Sequence, residues 1–224
     1  MCGRIAVGLP SDSMAKLFAA LPANSLPAVP NYNICPTDPV HVVRMSGEGR
    51  ALVGMRWGFI PTWYKAANAG PLLINARAET LADKPAFKGA ARARRCIIPA
   101  SGYYEWASAD GVKLPWYYAR RDSDPMALAG IWQEWESDDG PIATCAMVTI
   151  ASNELTGRVH HRMPVILERE DWGKWLGEEG QGAARLMLPA EEDVLITHRV
   201  SRMINSNRSE GSELIDPWEG DEGA

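Results

Sequence analysis

Residues 96–150 read CIIPASGYYEWASADGVKLPWYYARRDSDPMALAGIWQEWESDDGPIATCAMVTI, and this stretch decides the fold. It consists of five apolar and aromatic runs, with Asp110-Gly111 between the second and third runs and Asp139-Gly140 between the last two. Asp-Gly between apolar runs is a strong hairpin signal, because both residues tolerate the positive φ of a tight turn. The stretch therefore predicts strands over residues 96–99, 102–107, 116–120, 126–135 and 142–150.

The sequence on either side adds further strands and a few short helices. The additional strands are predicted at residues 40–45, 51–57, 164–167 and 194–200. Apolar spacing and alanine-rich composition predict helices at residues 13–21, 76–82, 86–95 and 171–176. Residues 22–39 contain five prolines and are expected to form an ordered loop. Many strands with few helices favour an α+β fold, with a curved, barrel-like mixed β-sheet core and peripheral helices.

The 224-residue chain is 46% hydrophobic and 23% charged, as is typical of globular proteins. Its apolar runs are too short for a membrane span, and Met-Cys-Gly-Arg lacks the hydrophobic segment of a secretory signal. We therefore expect a cytoplasmic monomer. The cysteines and histidines do not have metal-ligand spacing, so we expect free thiols, no metal site and no cofactor.

The net charge of −5 by itself argues against a nucleic-acid partner. The charge is unevenly distributed, however. Residues 1–105 carry 12 Lys and Arg against 6 Asp and Glu, whereas residues 106–224 carry 11 against 22. A basic half can bind a polyanion while an acidic half keeps the protein soluble. Chance sorting of solvated charges is the alternative.

Cys2 could have unusual reactivity, because removal of Met1 would give it a free α-amine beside its thiol. An amine with an ordinary pKa of about 8 can attack an aldehyde to form a Schiff base. The thiol can then close on the imine carbon and form a five-membered thiazolidine. The alternative is an ordinary small residue at a frayed terminus.

Three residues further along the chain could transfer protons or bind phosphate. Glu105 lies in an aromatic run, and if it points inward, burial raises its pKa and suits it to acid–base work near pH 7. His160 can shuttle protons, and Arg162 can bind a phosphate. Glu105 could instead face solvent, and the other two could form an ordinary surface pair.

Residues 75–80 read NARAET and indicate the entry of a helix. Asn75 could orient a nucleophile or a substrate hydroxyl, and Arg77 could hold a phosphate, although helix capping explains the same residues. Trp57 and Trp63 flank Gly-Phe-Ile-Pro-Thr and could stack on bases or lie in the core.

Together these motifs resemble the SRAP family, the SOS response-associated peptidases. The motifs occur in the family's order, namely MCGR at 1–4, WGFIPTW at 57–63, NARAET at 75–80, RCIIPASGYYEW at 95–106, AGIW at 129–132 and HHRMP at 160–164. The resemblance runs from Cys2 to about residue 217. It implies a single SRAP-like domain over residues 1–217, followed by an acidic, frayed tail over residues 218–224.

The resemblance implies a protein that captures abasic sites in single-stranded DNA as a covalent DNA–protein crosslink. It also implies AP-lyase activity as a side reaction, self-removal of Met1, and association with the nucleoid when damaged DNA is bound. By motif match, Cys2 is the nucleophile and Asn75 positions the N-terminus and the opened sugar. Glu105 is the acid/base that opens the sugar ring, and His160 assists the Schiff-base chemistry. The DNA contacts implied are Arg4, Arg77, Arg162, Trp57 and Thr149.

Two other functions stay open on the sequence. The first is a thiol peptidase that acts on other proteins through Cys2, His160 and Glu105, and that would leave cleaved peptides even with its α-amine blocked. The second is a non-enzymatic single-strand binder, which would keep its affinity in Cys2→Ala and show no preference for abasic DNA.

Overall fold

The computed structural model describes residues 2–47 and 49–220. Its strands are β1 (Ile5–Val7), β2 (Ala20–Pro22), β3 (Asn31–Ile34), β4 (Pro39–Ser46), β5 (Gly49–Trp57), β6 (Asn75–Arg77), β7 (Arg95–Ala100), β8 (Gly102–Ala109), β9 (Val112–Arg120), β10 (Met126–Ser137), β11 (Gly140–Ala151), β12 (Arg162–Pro164) and β13 (Leu195–Arg199). Its α-helices are α1 (Ser11–Leu17), α2 (Pro85–Ala93), α3 (Glu154–Gly157) and α4 (Trp172–Leu176).

Five of the strands close into a barrel. β4 pairs with β5 and β7, β7 with β10, and β10 with β11, all antiparallel. β11 then pairs in parallel with β5, where Cys145 lies opposite Trp57, and this pairing closes the ring. β2, β6 and β12 extend the ring at its edges. The barrel and its short peripheral helices confirm the predicted fold class.

Burial explains why the barrel strands have continuous apolar runs. Residues 126–131 of β10 are all buried, because one face of the strand lines the barrel and the other is covered. Strands that are buried on both faces do not alternate between apolar and polar residues. The two predicted Asp-Gly turns are also present. Asp110 and Gly111 have φ values of 50° and 79°, and Gly140 has a φ of 108°.

A second sheet has the strand order β13-β9-β8-β1-β3. β1 runs antiparallel to β8, with Ile5 opposite Tyr103. This register brings the residues that precede Ile5 alongside the residues that follow Tyr103, and the Tyr104 amide donates to the Arg4 carbonyl at 3.0 Å. The start of the chain therefore lies next to the strand that carries Glu105.

Two of the predicted helices differ from the structure. The helix expected at residues 13–21 is α1, which ends at Leu17, because Ala19 has a positive φ of 49° and the next residues pair with β5. The helix expected at residues 76–82 is replaced by β6 and a single 3₁₀ turn, Ala78–Thr80. β6 pairs in parallel with β11, and this pairing outweighs the helix propensity of the alanines.

The remaining differences lie in irregular parts of the chain. The proline-rich loop expected at residues 22–39 contains β3, which pairs with β1. The strand expected at residues 164–167 is β12, which ends at Pro164. The expected tail is held at its start, where the Trp218 amide donates to the Arg199 carbonyl at 2.8 Å, whereas residues 221–224 lie outside the described residues. No helix within residues 2–47 and 49–220 has the length and apolar character to cross a membrane.

The side chain of His41 connects α1 to the barrel by a hydrogen bond. It lies on β4 with no exposed surface, and its Nε2 is 3.0 Å from the Ser11 hydroxyl at the start of α1. The Ser11 hydroxyl contacts this histidine, and α1 has no side-chain cap. Burial lowers the pKa of His41 from 6.5 to about 4, because the charged form is disfavoured away from water. The ring is therefore neutral in the folded protein at pH 7.

Acidification is expected to destabilise the protein through His41. Below pH 6.5 the unfolded chain binds a proton at this residue that the folded protein rejects until about pH 4. Between pH 7 and pH 4.5 this lowers the free energy of unfolding by about 2 kcal/mol. Urea unfolding at the two pH values measures this fall in the free energy of unfolding. In His41→Gln the fall should be smaller than in the wild type by that amount. Ser11→Ala leaves the histidine buried and should keep the wild-type pH dependence, and equal losses in wild type and His41→Gln would contradict the assignment.

Candidate active site

Cys2 lies at the centre of the candidate site. It is only 1% exposed and belongs to the main core, together with Ile5 and Tyr103. Its thiol donates to the Arg4 carbonyl at 3.9 Å. Burial raises the pKa of the Cys2 thiol well above its ordinary value, and the nearby Glu105 charge raises it further. The thiol is therefore protonated at pH 7, and it needs a base if it is to act as a nucleophile.

Asn75 is brought to Cys2 by the short strand β6. Because β6 pairs with β11, with Asn75 opposite Met147, the asparagine is fixed on the barrel rather than at a helix entry. Its Nδ2 donates to the Cys2 carbonyl at 2.8 Å. Its Oδ1 is buried and has no hydrogen-bond partner among the described residues. That oxygen is available to accept a hydrogen bond from a bound molecule.

Glu105 and His160 form a second pair in the site. Glu105 on β8 is 4% exposed, so the expected inward orientation is present. Burial raises the pKa of Glu105 to about 7, because the carboxylate is disfavoured away from water. The Glu105 carboxylate lies 3.7 Å from His160 Nδ1. A carboxyl group with a pKa near 7 can both give and take protons at neutral pH.

His160 is held by the backbone on both sides of it. Its amide donates to the Thr156 carbonyl of α3 at 3.0 Å, and the Arg162 amide donates to its Nδ1 at 3.0 Å. Burial lowers the pKa of His160; the backbone hydrogen bond with Arg162 opposes this shift, and the Arg162 charge adds to it. The imidazole is therefore neutral at pH 7 and can accept a proton from a bound molecule.

Arg162 is buried and lies in an ion pair. Its Nη1 and Nη2 donate to the Glu79 carboxylate at 2.6 and 2.9 Å, and Nη2 also donates to the Thr149 carbonyl at 2.7 Å. The Arg162 guanidinium lowers the pKa of Glu79 to about 2. A phosphate would have to compete with this carboxylate for Arg162. The charge pattern of residues 75–80 does not reveal the pair, because its two residues are 83 positions apart.

The other two candidate arginines differ in their availability. Arg77 is exposed and lies opposite Thr149, two residues after Asn75 on β6. Arg4 is half-buried, and its Nη1 donates to the side chain of Asn33 and to the Ile204 carbonyl. The exposed Arg77 can therefore bind an anion from solvent. Arg4, in contrast, also connects the start of the chain to the segment that contains Ile204.

Trp57 and Thr149, two of the residues expected to line the DNA groove, are buried. Trp57 has no exposed surface, and its indole N–H donates to the Ile74 carbonyl at 3.0 Å. Thr149 is 1% exposed, and its carbonyl accepts from Arg162. Trp63, the second tryptophan of the same motif, is 57% exposed.

A groove of about 400 Å³ opens beside Asn75. It is mostly apolar, with Arg77 and Lys84 at its rim, and it is lined by Trp63, Leu73, Asn75, Arg77, Thr80, Lys84, Pro85, Ala86 and Phe87. The exposed Trp63 ring and the two cations suit a ligand that has both flat apolar groups and negative charge. The sequence motifs identified Trp63 as a possible stacking residue, but no pattern in the sequence predicted that Leu73 lines the same groove.

The amino-acid sequence matches known proteins over nearly the whole chain. The family model described as SOS response associated peptidase (SRAP) matches residues 1–207. The abasic site processing protein YoqW of Bacillus subtilis is 35% identical over 224 residues, covering 96% of this chain and 99% of YoqW. The abasic site processing protein YedK of Escherichia coli is 30% identical, covering 97% of this chain and 100% of YedK.

A solved structure has the same fold. The crystal structure of a protein from Bacteroides thetaiotaomicron superposes with a TM-score of 0.86 and covers 97% of this chain and 100% of that protein. Its sequence is 24% identical, so the likeness concerns the fold alone.

Proposed function

The chain belongs to the SRAP family, and from this premise we propose that it captures abasic sites in single-stranded DNA. In this proposal, Cys2, freed by removal of Met1, forms a covalent thiazolidine crosslink with the opened sugar. The observation that carries the proposal is the Asn75 side chain on the Cys2 carbonyl, at 2.8 Å, in a site that also contains the Glu105–His160 pair. The relatives YoqW and YedK are described as abasic site processing proteins.

The first step opens the sugar. An abasic sugar is mostly a closed hemiacetal, and a proton delivered to its ring oxygen helps release the C1′ aldehyde. Glu105 suits this general-acid step, because its pKa of about 7 leaves a large protonated fraction at neutral pH. Asn75 Oδ1, which has no hydrogen-bond partner in the described part of the chain, would accept a hydrogen bond from the hydroxyl that opening creates on the sugar.

The second step joins the protein to the sugar. The Cys2 α-amine adds to C1′, the resulting carbinolamine loses water, and a Schiff base forms. The leaving hydroxyl takes a proton from the Glu105–His160 pair, and the nitrogen gives one up. Because burial lowers the pKa of His160, its neutral ring can take up that proton and later return it.

The third step closes the thiazolidine ring. The Cys2 thiol passes its proton to the Glu105 carboxylate, and the sulfur electron pair forms a bond to C1′. As the C=N double bond becomes single, its electron pair goes to the nitrogen, which takes one proton back from the Glu105–His160 pair. Nothing leaves in this step, so the atoms and charge balance. If the sulfur fails to close the ring, β-elimination of the imine cuts the strand, which would account for a secondary AP-lyase activity. We also assign self-removal of Met1 to the same site.

DNA would be held by charge and stacking with little sequence readout. The exposed Arg77 and Lys84 suit two backbone phosphates, and Trp63 suits a flanking base in the groove beside Asn75. Arg4 and Arg162 stay candidates for phosphate contacts, but each already has protein partners. Binding through Arg162 would therefore require an exchange of the Glu79 carboxylate for phosphate.

A denaturing gel tests the proposal. Protein whose Met1 has been removed, as verified by intact mass spectrometry, is mixed with a uracil-containing single strand treated with uracil-DNA glycosylase. We expect a heat-stable shifted band that is absent with the untreated strand and with Cys2→Ala. If the processed protein gives no such band, the crosslinking function is wrong.

A general thiol peptidase is the competing assignment. It is disfavoured by the raised pKa of Cys2, because a peptidase cysteine reacts as a thiolate and is usually found where its pKa is lowered. Cleavage of unrelated peptides by protein with a blocked α-amine would favour the peptidase.

A further inference from the structure

The hydroxyl group of Tyr103 has no role in the steps described so far. Tyr103 lies on β8 with no exposed surface. Within residues 2–47 and 49–220, its Oη has no hydrogen-bond partner. Burying a hydroxyl group without a partner is unfavourable, and such groups are rare in folded proteins. The phenol group is therefore a candidate for a function that appears only when chemistry takes place.

The strand geometry places Tyr103 on the same side as the reacting groups. Side chains alternate along a strand, so Tyr103 and Glu105 share one face of β8, whereas Tyr104 packs in a separate cluster on the other face. Tyr103 belongs to the core cluster that contains Cys2. Burial raises the pKa of Tyr103 well above its ordinary value, and the nearby Cys2 and Glu105 groups raise it further. The hydroxyl keeps its proton and is a fixed hydrogen-bond donor.

The neighbouring strand holds the Tyr103 ring in place. Tyr118 on β9 lies opposite Tyr103, and the two rings stack with centroids 4.8 Å apart and planes 8° apart. Stacking against a buried partner prevents the ring from swinging out to solvent. The donor is thus pre-organised.

The Cys2 sulfur needs such a donor when it loses its proton. As a thiol it donates to the Arg4 carbonyl, but a thiolate in the same place faces that carbonyl oxygen unfavourably. The Asn75 amide is already used on the Cys2 carbonyl. The Tyr103 hydroxyl is a neutral donor whose capacity is unused in the described chain.

We propose that the Tyr103 hydroxyl donates a hydrogen bond to the Cys2 sulfur as the thiol loses its proton, and thereby promotes ring closure. The proposal rests on the proposed function for the identity of the closing step. In that step the S–H proton goes to Glu105, the sulfur forms its bond to C1′, and the Tyr103 O–H bond stays intact throughout. Tyr103 therefore assists without being consumed or changing its protonation.

The test compares Tyr103→Phe with Tyr118→Phe in processed protein. Each variant removes one hydroxyl and keeps the stacked ring, so the second is a matched control for the first. Alkylation of Cys2 by iodoacetamide, followed by mass analysis of the N-terminal peptide, is measured from pH 6 to pH 10. In Tyr103→Phe we expect the alkylation profile to move up by about one pH unit, since a lost hydrogen bond to a charged group has about that effect. The Cys2 α-amine, Glu105 and His160, the other titratable groups of the site, are retained in both variants.

A second readout uses abasic DNA. In Tyr103→Phe we expect the borohydride-trapped imine to form at the wild-type rate, whereas conversion to the heat-stable adduct slows about 10-fold. A merely structural role would slow both steps together. Thermal unfolding verifies folding, because removal of an unpaired buried hydroxyl should not lower stability.

The alkylation experiment uses no DNA, so it tests the hydrogen bond even if the crosslinking function is wrong. An unchanged alkylation profile in Tyr103→Phe, or an equal shift in Tyr118→Phe, would overturn the proposal. A shift confined to Tyr103→Phe together with no crosslink in the wild type would instead overturn the proposed function and leave the hydrogen bond supported.

Discussion

Processed Cys2→Ser protein is expected to form an imine with abasic single-stranded DNA and to yield essentially no heat-stable adduct. The substitution keeps the α-amine, which forms the imine, and replaces the sulfur, which closes the ring, by a much weaker nucleophile. Borohydride reduction should therefore trap a covalent band that heating without reduction destroys. Because the imine persists longer, strand cleavage by β-elimination should increase.

Cys35→Ser is the matched control for this experiment. Cys35 follows β3, is half-buried, and has a thiol that donates to the Asn33 carbonyl. Its replacement should leave both the imine and the stable adduct at wild-type levels. A heat-stable adduct of undiminished yield in Cys2→Ser would rule out the thiazolidine step. Loss of the trapped imine would show that the substitution impairs the reaction of the α-amine instead.

Glu105→Gln is expected to slow crosslinking by about 10²-fold at pH 7, the usual size of a lost acid/base group. Glutamine has nearly the same shape and can hold the hydrogen bonds, but it cannot transfer the protons of ring opening and ring closure. The wild-type rate should change with pH around 7, where Glu105 titrates. This dependence should be absent in the variant, as measured by crosslinking rates on a denaturing gel.

Stability measurements separate this effect from misfolding. Because burial raises the pKa of Glu105 to about 7, the folded wild type holds a proton there that the unfolded chain releases above about pH 4.5. Its free energy of unfolding therefore falls as the pH rises through 7, and at pH 8 Glu105→Gln should be at least as stable as the wild type. Glu134→Gln, an exposed carboxylate change on β10, should alter neither rate nor stability. A wild-type crosslinking rate in Glu105→Gln would remove Glu105 from the mechanism.

The residues of the candidate site could be named from the sequence, but their partners could not. Motif order was enough to name Cys2, Asn75, Glu105 and His160 as the expected site. The Asn75 amide on the Cys2 carbonyl and the carboxylate beside His160 join segments that are 73 and 55 residues apart. No spacing rule connects such segments, because their distance depends on how the sheets close.

The two tryptophans of one motif show the same limit. Trp57 and Trp63 are chemically alike and six residues apart, and from the sequence either of them could stack on a DNA base. Closure of the barrel between β5 and β11 buries the first completely, whereas the second follows the strand and is exposed. Arg162 is a similar case, since its pairing with Glu79 follows from the packing of β12 beside β11 and from the position of the turn after β6.

The sequence alone determined the properties that are local: two hairpin turns, continuous apolar strands, an α+β class, and a set of reactive residue types in a familiar order. Each of these depends on neighbours within a few residues, where backbone preference and apolar pattern act directly. Only the tertiary structure decided which groups are removed from water. Burial shifts the pKa values of Cys2, Glu105 and His160, and among the described residues it leaves the Tyr103 hydroxyl without a hydrogen-bond partner. Burial results from the packing of distant strands against one another, and that packing is a property of the closed barrel and its covering sheet.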